Sequence, residues 1–142
     1  MFRDNKAIAY LLLRLALGVN IFGHGFFRVL SGVGAFANGM VVGMDKGPLP
    51  HALSLSFGYC IPWIELLLGI LLLAGLFTRF ALIVGALFII ALTFGTTSTQ
   101  NWQGAGGQLL YSLVFFVLLW LVEADTISAD AVRTGRGRNT PV

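Results

Sequence analysis

Four apolar runs, each close to the length needed to cross a bilayer, constrain the fold of this sequence more than any other feature. They cover residues 7–30, 55–77, 80–97 and 107–122. A membrane-spanning helix requires about 20 mostly apolar residues, because backbone groups in lipid must be hydrogen-bonded within the segment. The second and third runs are separated by only Thr78 and Arg79, so they must form an antiparallel hairpin. The sequence predicts an all-α, four-helix integral membrane bundle over residues 1–125, followed by a polar tail over residues 126–142.

The low charge content excludes a soluble domain and a nucleic-acid binder. Only 11% of the residues are charged and the mean hydropathy is +0.87, whereas soluble domains carry about 25% charged residues. The net charge is +3, but the basic residues stand at the ends of apolar runs and form no stripe with aromatic residues. Cys60 is the single cysteine, so a disulfide, a thiolate metal cage or a dithiol pair within the chain is excluded. We therefore expect the lipid bilayer as the main contact, and no metal site.

The distribution of Lys and Arg predicts the orientation in the membrane. With four spans, both termini and the turn at residues 78–79 share one side, which holds six basic residues, while the other side holds two. Cytoplasmic loops carry the excess of Lys and Arg, so both termini are predicted to be cytoplasmic. The first run continues past Arg14 with no small-residue cleavage site, which favours a retained helix over a signal peptide.

The connections between the spans are unequal in length. Residues 31–54 form a long, glycine-rich external loop whose middle, residues 34–44, is too short to span. This part is expected either to lie in the interface or to fold back over the mouth of the bundle. Residues 98–106 form a second external loop, and the last ten residues are expected to be flexible.

Three ionisable residues, Arg14, His24 and Glu65, fall inside predicted spans. A charge near the centre of a helix costs about 2.5–3.5 kcal/mol on insertion scales, so such residues usually face the bundle interior and have partners. One face of the first helix carries two of them together with glycines, which permit close helix approach. We predict that this face points inward; its residues are Arg14, Leu17, Gly18, Ile21, His24, Gly25 and Arg28.

Depth along the helices indicates which charges can pair. With a rise of about 1.5 Å per residue, Glu65 lies roughly 15 Å below the external end of its helix and Arg14 roughly 20 Å below that surface. Arg14–Glu65 is therefore the first expectation, with the His24 and Arg28 pair as the alternative partner of Glu65. Pro62 leaves a backbone carbonyl free one turn earlier, which often marks a cavity wall.

Each of these residues can also be explained by a role in packing, without any catalytic or ligand-binding function. A buried Arg–Glu pair can simply hold two helices in register, and His24 near the headgroups suits hydrogen-bonded packing as well as proton transfer. His24 and His51 are the only histidines and could in principle ligate one haem, but His51 stands in a proline-flanked loop, which disfavours this. Trp63 is a candidate ligand contact, although an interface or packing aromatic is the plainer interpretation.

Two segments resemble the DoxX family of bacterial membrane proteins, which includes the DoxD-type subunits of thiosulfate:quinone oxidoreductase. LRLALGVNIFGHGFFRVL, residues 13–30, resembles the family's arginine, glycine, His-Gly and basic-residue pattern on the first helix. PWIELLLGILLLAGLFTRFA, residues 62–81, resembles its P-x-x-E, glycine and G-L-x-T-R segment. Arg28 stands where the family often has lysine, and Leu68-Gly69 replaces a common Gly-Gly pair. The resemblance implies a protein of the bacterial cytoplasmic membrane connected with quinone-linked or sulfur-linked redox chemistry.

The leading functional hypothesis is a redox-associated subunit with a polar site inside the membrane. Arg14, His24 and Glu65 are the candidate catalytic residues, and Arg28 and Trp63 join them as candidate ligand contacts. A quinone head group needs a hydrogen-bond donor and a proton-exchanging group in an apolar pocket, so a bound quinone is expected rather than an intrinsic cofactor. The sequence has no flavin motif, so electrons would come from a partner subunit or a bound substrate.

Two other classes of function remain open. One is a non-catalytic accessory or assembly subunit of a larger membrane complex, with the polar residues serving only to join helices. The other is a small transporter or proton pathway, which four helices form only as a homo-oligomer. The distinguishing feature is whether the polar residues line an open cavity.

Overall fold

Six α-helices make up the fold, as shown by a computed structural model that describes residues 2–135. They are α1 (Phe2–Leu30), α2 (Val33–Met44), α3 (His51–Ala74), α4 (Thr78–Ser98), α5 (Trp102–Trp120) and α6 (Ala129–Thr134), with a 3₁₀ turn at Val122–Ala124. Four of them, α1, α3, α4 and α5, are long and apolar enough to cross a membrane. This confirms the prediction of an all-α, four-span bundle. The flexible end predicted from the sequence falls mostly on residues 136–142, which lie outside the described residues.

All four spans begin before their predicted apolar runs, and polar residues contribute to the first turns of α3 and α5. α3 begins at His51, directly after Pro50, and α5 begins at Trp102. The side chain of Asn101 accepts a hydrogen bond from the Gly104 N–H at 3.0 Å, so it caps the N-terminus of α5. Such capping residues are polar, and a hydropathy criterion misses them.

The middle of the loop over residues 31–54 folds back onto the bundle. It forms α2, which packs against the first turns of α3. Ala37 of α2 is completely buried, and a Cβ atom on Gly58 of α3 would lie 2.6 Å from its Cα. Of the two expectations for this segment, the structure shows the folded-back arrangement.

Glycines determine how closely α1 and α3 pack and in which register. A Cβ atom on Gly69 would lie 2.5 Å from the Phe22 backbone, and one on Gly25 would lie 2.7 Å from the Pro62 carbonyl. At the other end, Gly18 packs against Leu73. Small residues at membrane helix interfaces permit this backbone approach, so the predicted glycine-bearing face of α1 is indeed an interface.

The core lies between α1, α3, α4 and α5, while much of each span exposes apolar side chains. α4 and α5 pack tightly where Phe115 occupies the space above Gly85. Only 17% of the apolar window of α5 is buried, compared with 39% for α3. Exposed apolar surface of this extent on long helices is typical of contact with a bilayer. The buried core comprises Tyr10, Leu17, Ile21, Leu68, Leu72, Ala81, Leu82, Ile89, Phe115 and Leu118.

Candidate functional site

Glu65 pairs with Arg28. Glu65 lies on α3 with 8% of its side chain exposed, and both of its carboxylate oxygens accept hydrogen bonds from the Arg28 guanidinium of α1. The guanidinium carbon of Arg28 also lies 4.5 Å from the centroid of the Phe36 ring on α2, within cation–π range. The ion pair therefore connects three helices at one end of the bundle.

The first expectation, a pair between Arg14 and Glu65, is wrong, and the alternative partner Arg28 is the one found. The depth estimate placed the external ends of α1 and α3 at the same level. In the structure the first turns of α3 extend beyond α1 to pack against α2. The register that follows places Gly25 of α1 opposite Pro62–Leu66, so that Glu65 is one helical turn from the level of Arg28 and far from that of Arg14.

His24 is exposed, although the predicted inward face of α1 included it. Arg14, Leu17, Gly18, Ile21 and Gly25 of that face are buried and Arg28 is half-buried. At about 100° per residue, His24 lies roughly 80° round the helix from Arg14, at the margin of the face. It is still close enough to interact electrostatically with Glu65. His24 is thus a neighbour of the ion pair that can be reached from outside the bundle.

An open cleft of about 560 Å³ brings His24 and Arg28 together between α1 and α2. Its volume falls within the range of about 300–1,000 Å³ typical of small-molecule sites. Asn20 also contributes to the wall, and its side-chain oxygen accepts a hydrogen bond from the Tyr111 hydroxyl of α5 at 2.6 Å. We did not anticipate Asn20 from the sequence, although an amide inside an apolar run was the available signal. The remaining lining residues are Gly23, Phe27, Ser31, Gly32, Ala35 and Phe36.

Arg14 lies at the opposite end of the bundle from the cleft, where its guanidinium binds backbone carbonyl groups. It is 2% exposed, and it donates hydrogen bonds to the Leu72 carbonyl at 2.5 Å and to the Ile127 carbonyl at 3.4 Å. Leu72 belongs to the last turn of α3, where carbonyls have no partner within the helix and a cation is favoured by the helix dipole. Arg14 therefore joins α1, α3 and the segment after α5, and it is remote from the cleft.

The segment after α5 forms a latch, residues 125–134, over the turn between α3 and α4. The Asp130 carboxylate accepts hydrogen bonds from the N–H groups of Phe77 at 3.0 Å and Thr78 at 2.7 Å. Burial would raise the pKa of Asp130, but these backbone hydrogen bonds outweigh it and hold the pKa below its usual value. The polar tail is thus folded onto the bundle as far as residue 134, which its composition did not indicate.

The pKa of a second carboxylate in the latch, Asp125, is shifted in the opposite direction from that of Asp130. Burial raises the pKa of the Asp125 carboxyl, although a hydrogen bond with Ser128 and the charge of Arg14 partly offset this effect. The Ser128 side chain in turn accepts a hydrogen bond from the Ala131 N–H at 3.0 Å and so caps α6. Packing within the chain therefore accounts for the polar residues at this end of the bundle, and no ligand is needed to explain them.

Trp63 does not line the cleft. It lies on α3 with 54% of its surface exposed, which suits an aromatic side chain facing the bilayer. His51 is exposed at the first position of α3. Within residues 2–135, no group of three or more His, Cys, Asp or Glu side chains is arranged to hold a metal ion.

The fold and the cleft define a multi-pass α-helical membrane protein with a polar cleft at one end of its bundle. The family model described as DoxX matches residues 9–102, which include the Arg28–Glu65 pair, His24 and most of the first three spans. The chain therefore belongs to the DoxX family. Neither the curated proteins nor the solved structures contain a significant match to it.

Proposed function

We propose that this protein is a membrane subunit associated with quinone-linked or sulfur-linked redox chemistry, and that the cleft between α1 and α2 receives the polar head group of its ligand. The observation that carries the proposal is the exposed His24 beside the Arg28–Glu65 pair in an open cleft. An imidazole that can donate or accept a hydrogen bond thus lies beside the Arg28 guanidinium within a membrane-spanning bundle. We place the protein in the bacterial cytoplasmic membrane with both termini in the cytoplasm.

The residues of the cleft suit a quinone head group. Reduction of a quinone to a quinol consumes two electrons and two protons. Arg28 is held by Glu65 and retains guanidinium N–H groups that can donate to a carbonyl oxygen. His24 is exposed on the wall of the cleft, where its imidazole can donate a hydrogen bond to the head group or accept one from it. The electrons come from a partner subunit or from a reduced sulfur substrate, since the sequence carries no flavin motif.

Arg14 is not assigned to this site. Its guanidinium hydrogen-bonds to backbone carbonyls at the opposite end of the bundle, so we propose that it stabilises the fold. Glu65 is likewise a positioning residue that orients Arg28. The candidate ligand contacts are therefore reduced to His24 and Arg28, with Asn20 added.

The substitution His24→Gln tests the proposal. Glutamine keeps a hydrogen-bonding side chain but cannot exchange a proton near neutral pH, so we expect unchanged thermal stability with reduced quinone binding and quinone-dependent turnover. His51→Gln is the matched control, because it removes the other histidine outside the cleft. Equal quinone binding and turnover in the wild type and both variants would contradict the proposal.

A second candidate function is that of an accessory or assembly subunit. It is favoured by the broad apolar face of α5, which exposes Leu109, Leu110, Leu113, Phe116 and Trp120. Another subunit, or a second copy of the chain, can pack on this face as lipid does. If His24→Gln leaves quinone content unchanged while Leu113→Trp on α5 releases a co-purifying subunit, the accessory function is supported instead.

A further inference from the structure

A second pocket, the basic pocket, opens at the opposite end of the bundle from the cleft. It has a volume of about 460 Å³ and lies between the first turns of α4 and the latch. Its cations are Arg79 of α4 and Arg133 of α6, and both side chains are exposed. Its apolar wall includes Phe77, Phe80 and Ile83. The basic pocket therefore combines two accessible positive charges with apolar surface.

The latch holds Arg133 beside the first turn of α4. The Asp130 N–H donates a hydrogen bond to the Gly75 carbonyl at 3.0 Å, and the Asp130 carboxylate binds two N–H groups at the start of α4. One turn further along α6, the guanidinium carbon of Arg133 lies 5.2 Å from the centroid of the Phe77 ring, within cation–π range. Because Arg133 is already placed by these contacts, less conformational freedom is lost when a ligand binds it.

Two carboxylates also line the basic pocket, but each of them interacts with groups of the chain itself. Both oxygens of Asp130 accept hydrogen bonds from backbone N–H groups. Asp125 is 6% exposed, and it interacts electrostatically with Arg14. Among the lining residues, the charges left to attract a ligand are therefore those of Arg79 and Arg133. The basic pocket is thus suited to an anion.

The basic pocket lies at the level where the head groups of a bilayer meet its hydrocarbon core. α4 has 21 residues, and a rise of about 1.5 Å per residue gives it a length of roughly 31 Å, close to the thickness of the hydrocarbon core, about 30 Å. Arg79 is the second residue of α4. At the same end, 53% of Phe77 and 63% of Phe80 are exposed. Basic side chains at this level meet lipid phosphates, while exposed apolar side chains contact the acyl chains.

We propose that the basic pocket binds one anionic phospholipid, whose phosphate lies between Arg79 and Arg133 and whose acyl chain lies against Phe80 and Ile83. Guanidinium groups bind phosphate through paired, charge-assisted hydrogen bonds. Phosphatidylcholine also carries a phosphate, but its choline group cancels the charge, so two cations in one pocket favour a lipid with a net negative charge.

The predicted topology agrees with this ligand, because it places the basic pocket at the cytoplasmic leaflet, whose surface potential is negative. The proposal does not rest on the function proposed for the cleft, since the two sites share no lining residue.

The test uses the full-length protein in detergent, stripped of co-purified lipid and titrated with phosphatidylglycerol or with phosphatidylcholine. Native mass spectrometry measures the number of lipids bound to each chain and the affinity for each lipid. Arg79→Gln and Arg133→Gln each remove one charge of the basic pocket, whereas Arg79→Lys and Arg133→Lys retain it. Lys6→Gln is the matched control, because Lys6 is an exposed cation at the same end of the bundle and does not line the pocket. Thermal unfolding verifies that the variants are folded.

We expect the wild type to bind about one phosphatidylglycerol per chain more tightly than it binds phosphatidylcholine. Arg79→Gln and Arg133→Gln should each weaken the binding of phosphatidylglycerol by about five-fold, the equivalent of about 1 kcal/mol for one basic residue near an anionic surface. The double variant should bind the two lipids equally. The lysine variants should lose less than the glutamine variants because they keep the charge, and Lys6→Gln should leave the affinity nearly unchanged.

Four results would overturn the proposal. Equal affinity of the wild type for the two lipids would exclude an anionic site, and wild-type affinity in the double variant would exclude these two arginines. An equal loss in Lys6→Gln would show attraction to the overall charge of this end of the bundle. An equal loss in the lysine and glutamine variants would show that a change in packing, and not in charge, is responsible. His24→Gln should leave the affinity for phosphatidylglycerol unchanged, so a failure of this proposal is distinguishable from a failure of the function proposed for the cleft.

Discussion

Substituting Arg28 and substituting Glu65 should lower the free energy of unfolding by different amounts, although each change breaks the same ion pair. Arg28→Gln leaves the Glu65 carboxylate, 8% exposed, without its cation. Removing one partner of a buried pair costs about 3–5 kcal/mol. Because 30% of the Arg28 side chain is exposed, water reduces this penalty, and we expect about 2–3 kcal/mol.

Glu65→Gln should lower the free energy of unfolding by less, because the charged Arg28 side chain can still be solvated when its partner is removed. Its guanidinium borders the open cleft and the Phe36 ring, and long basic side chains can redirect their charged group toward water. The expected loss is about 1 kcal/mol, the value of one hydrogen bond. The double substitution leaves no unpaired charge and should therefore cost less than Arg28→Gln alone, which implies a coupling energy of about 1.5–2 kcal/mol.

The assay is reversible unfolding of the detergent-solubilised protein in increasing dodecyl sulfate, followed by tryptophan fluorescence, for the wild type, both single variants and the double variant. Arg79→Gln removes an exposed basic residue at the start of α4 and serves as the control, with an effect within about 0.5 kcal/mol. A loss in Glu65→Gln equal to that in Arg28→Gln, or a coupling energy below about 0.5 kcal/mol, would refute the reasoning.

Three further predictions concern the packing, the latch and the topology. Gly69→Ala should prevent the close approach of α1 and α3 and lower the unfolding temperature markedly. Gly23→Ala should be neutral or slightly stabilising, because apart from the chain neighbours and backbone of α1 itself no atom of the described residues lies within 4 Å of the new Cβ. Asp130→Asn should lower the free energy of unfolding by about 1–2 kcal/mol at pH 7. Because the pKa of Asp130 is lowered in the folded state, the extra stability of the wild type should be present above about pH 4 and be lost as the pH falls through the folded-state pKa. Unfolding curves recorded over a series of pH values measure this difference. Reporter fusions at Val142 and within residues 31–54 should be active on the cytoplasmic and external sides respectively, and an externally active fusion at Val142 would contradict the four-span topology.

Hydropathy was sufficient to predict the spans because it acts locally along the chain. Each membrane-spanning helix must satisfy its own backbone, so its length and composition can be read from consecutive residues. The glycine-bearing face of α1 was predicted for a similar reason, since helical periodicity is also local.

The pairing of charges could not be predicted in the same way because it depends on how far one helix is shifted along another. The register of α1 on α3 follows from contacts such as Gly69 with Phe22 and from α2 packing on the first turns of α3. A shift of a few residues moved the partner of Glu65 from Arg14 to Arg28. The latch could not be predicted because Asp130 accepts hydrogen bonds from N–H groups 52 and 53 residues earlier in the chain.

The position of the latch has a consequence for the order of events during synthesis. The leading N–H groups of α4 are made long before Asp130, so water must hydrogen-bond them while α5 is still being translated. In the predicted topology this end of the bundle faces the cytoplasm, where water is present. α6 thus completes the first turn of a helix that is translated before it and already lies in the membrane. A messenger truncated after α5 would yield a protein with all four spans in which the first N–H groups of α4 lack the Asp130 carboxylate.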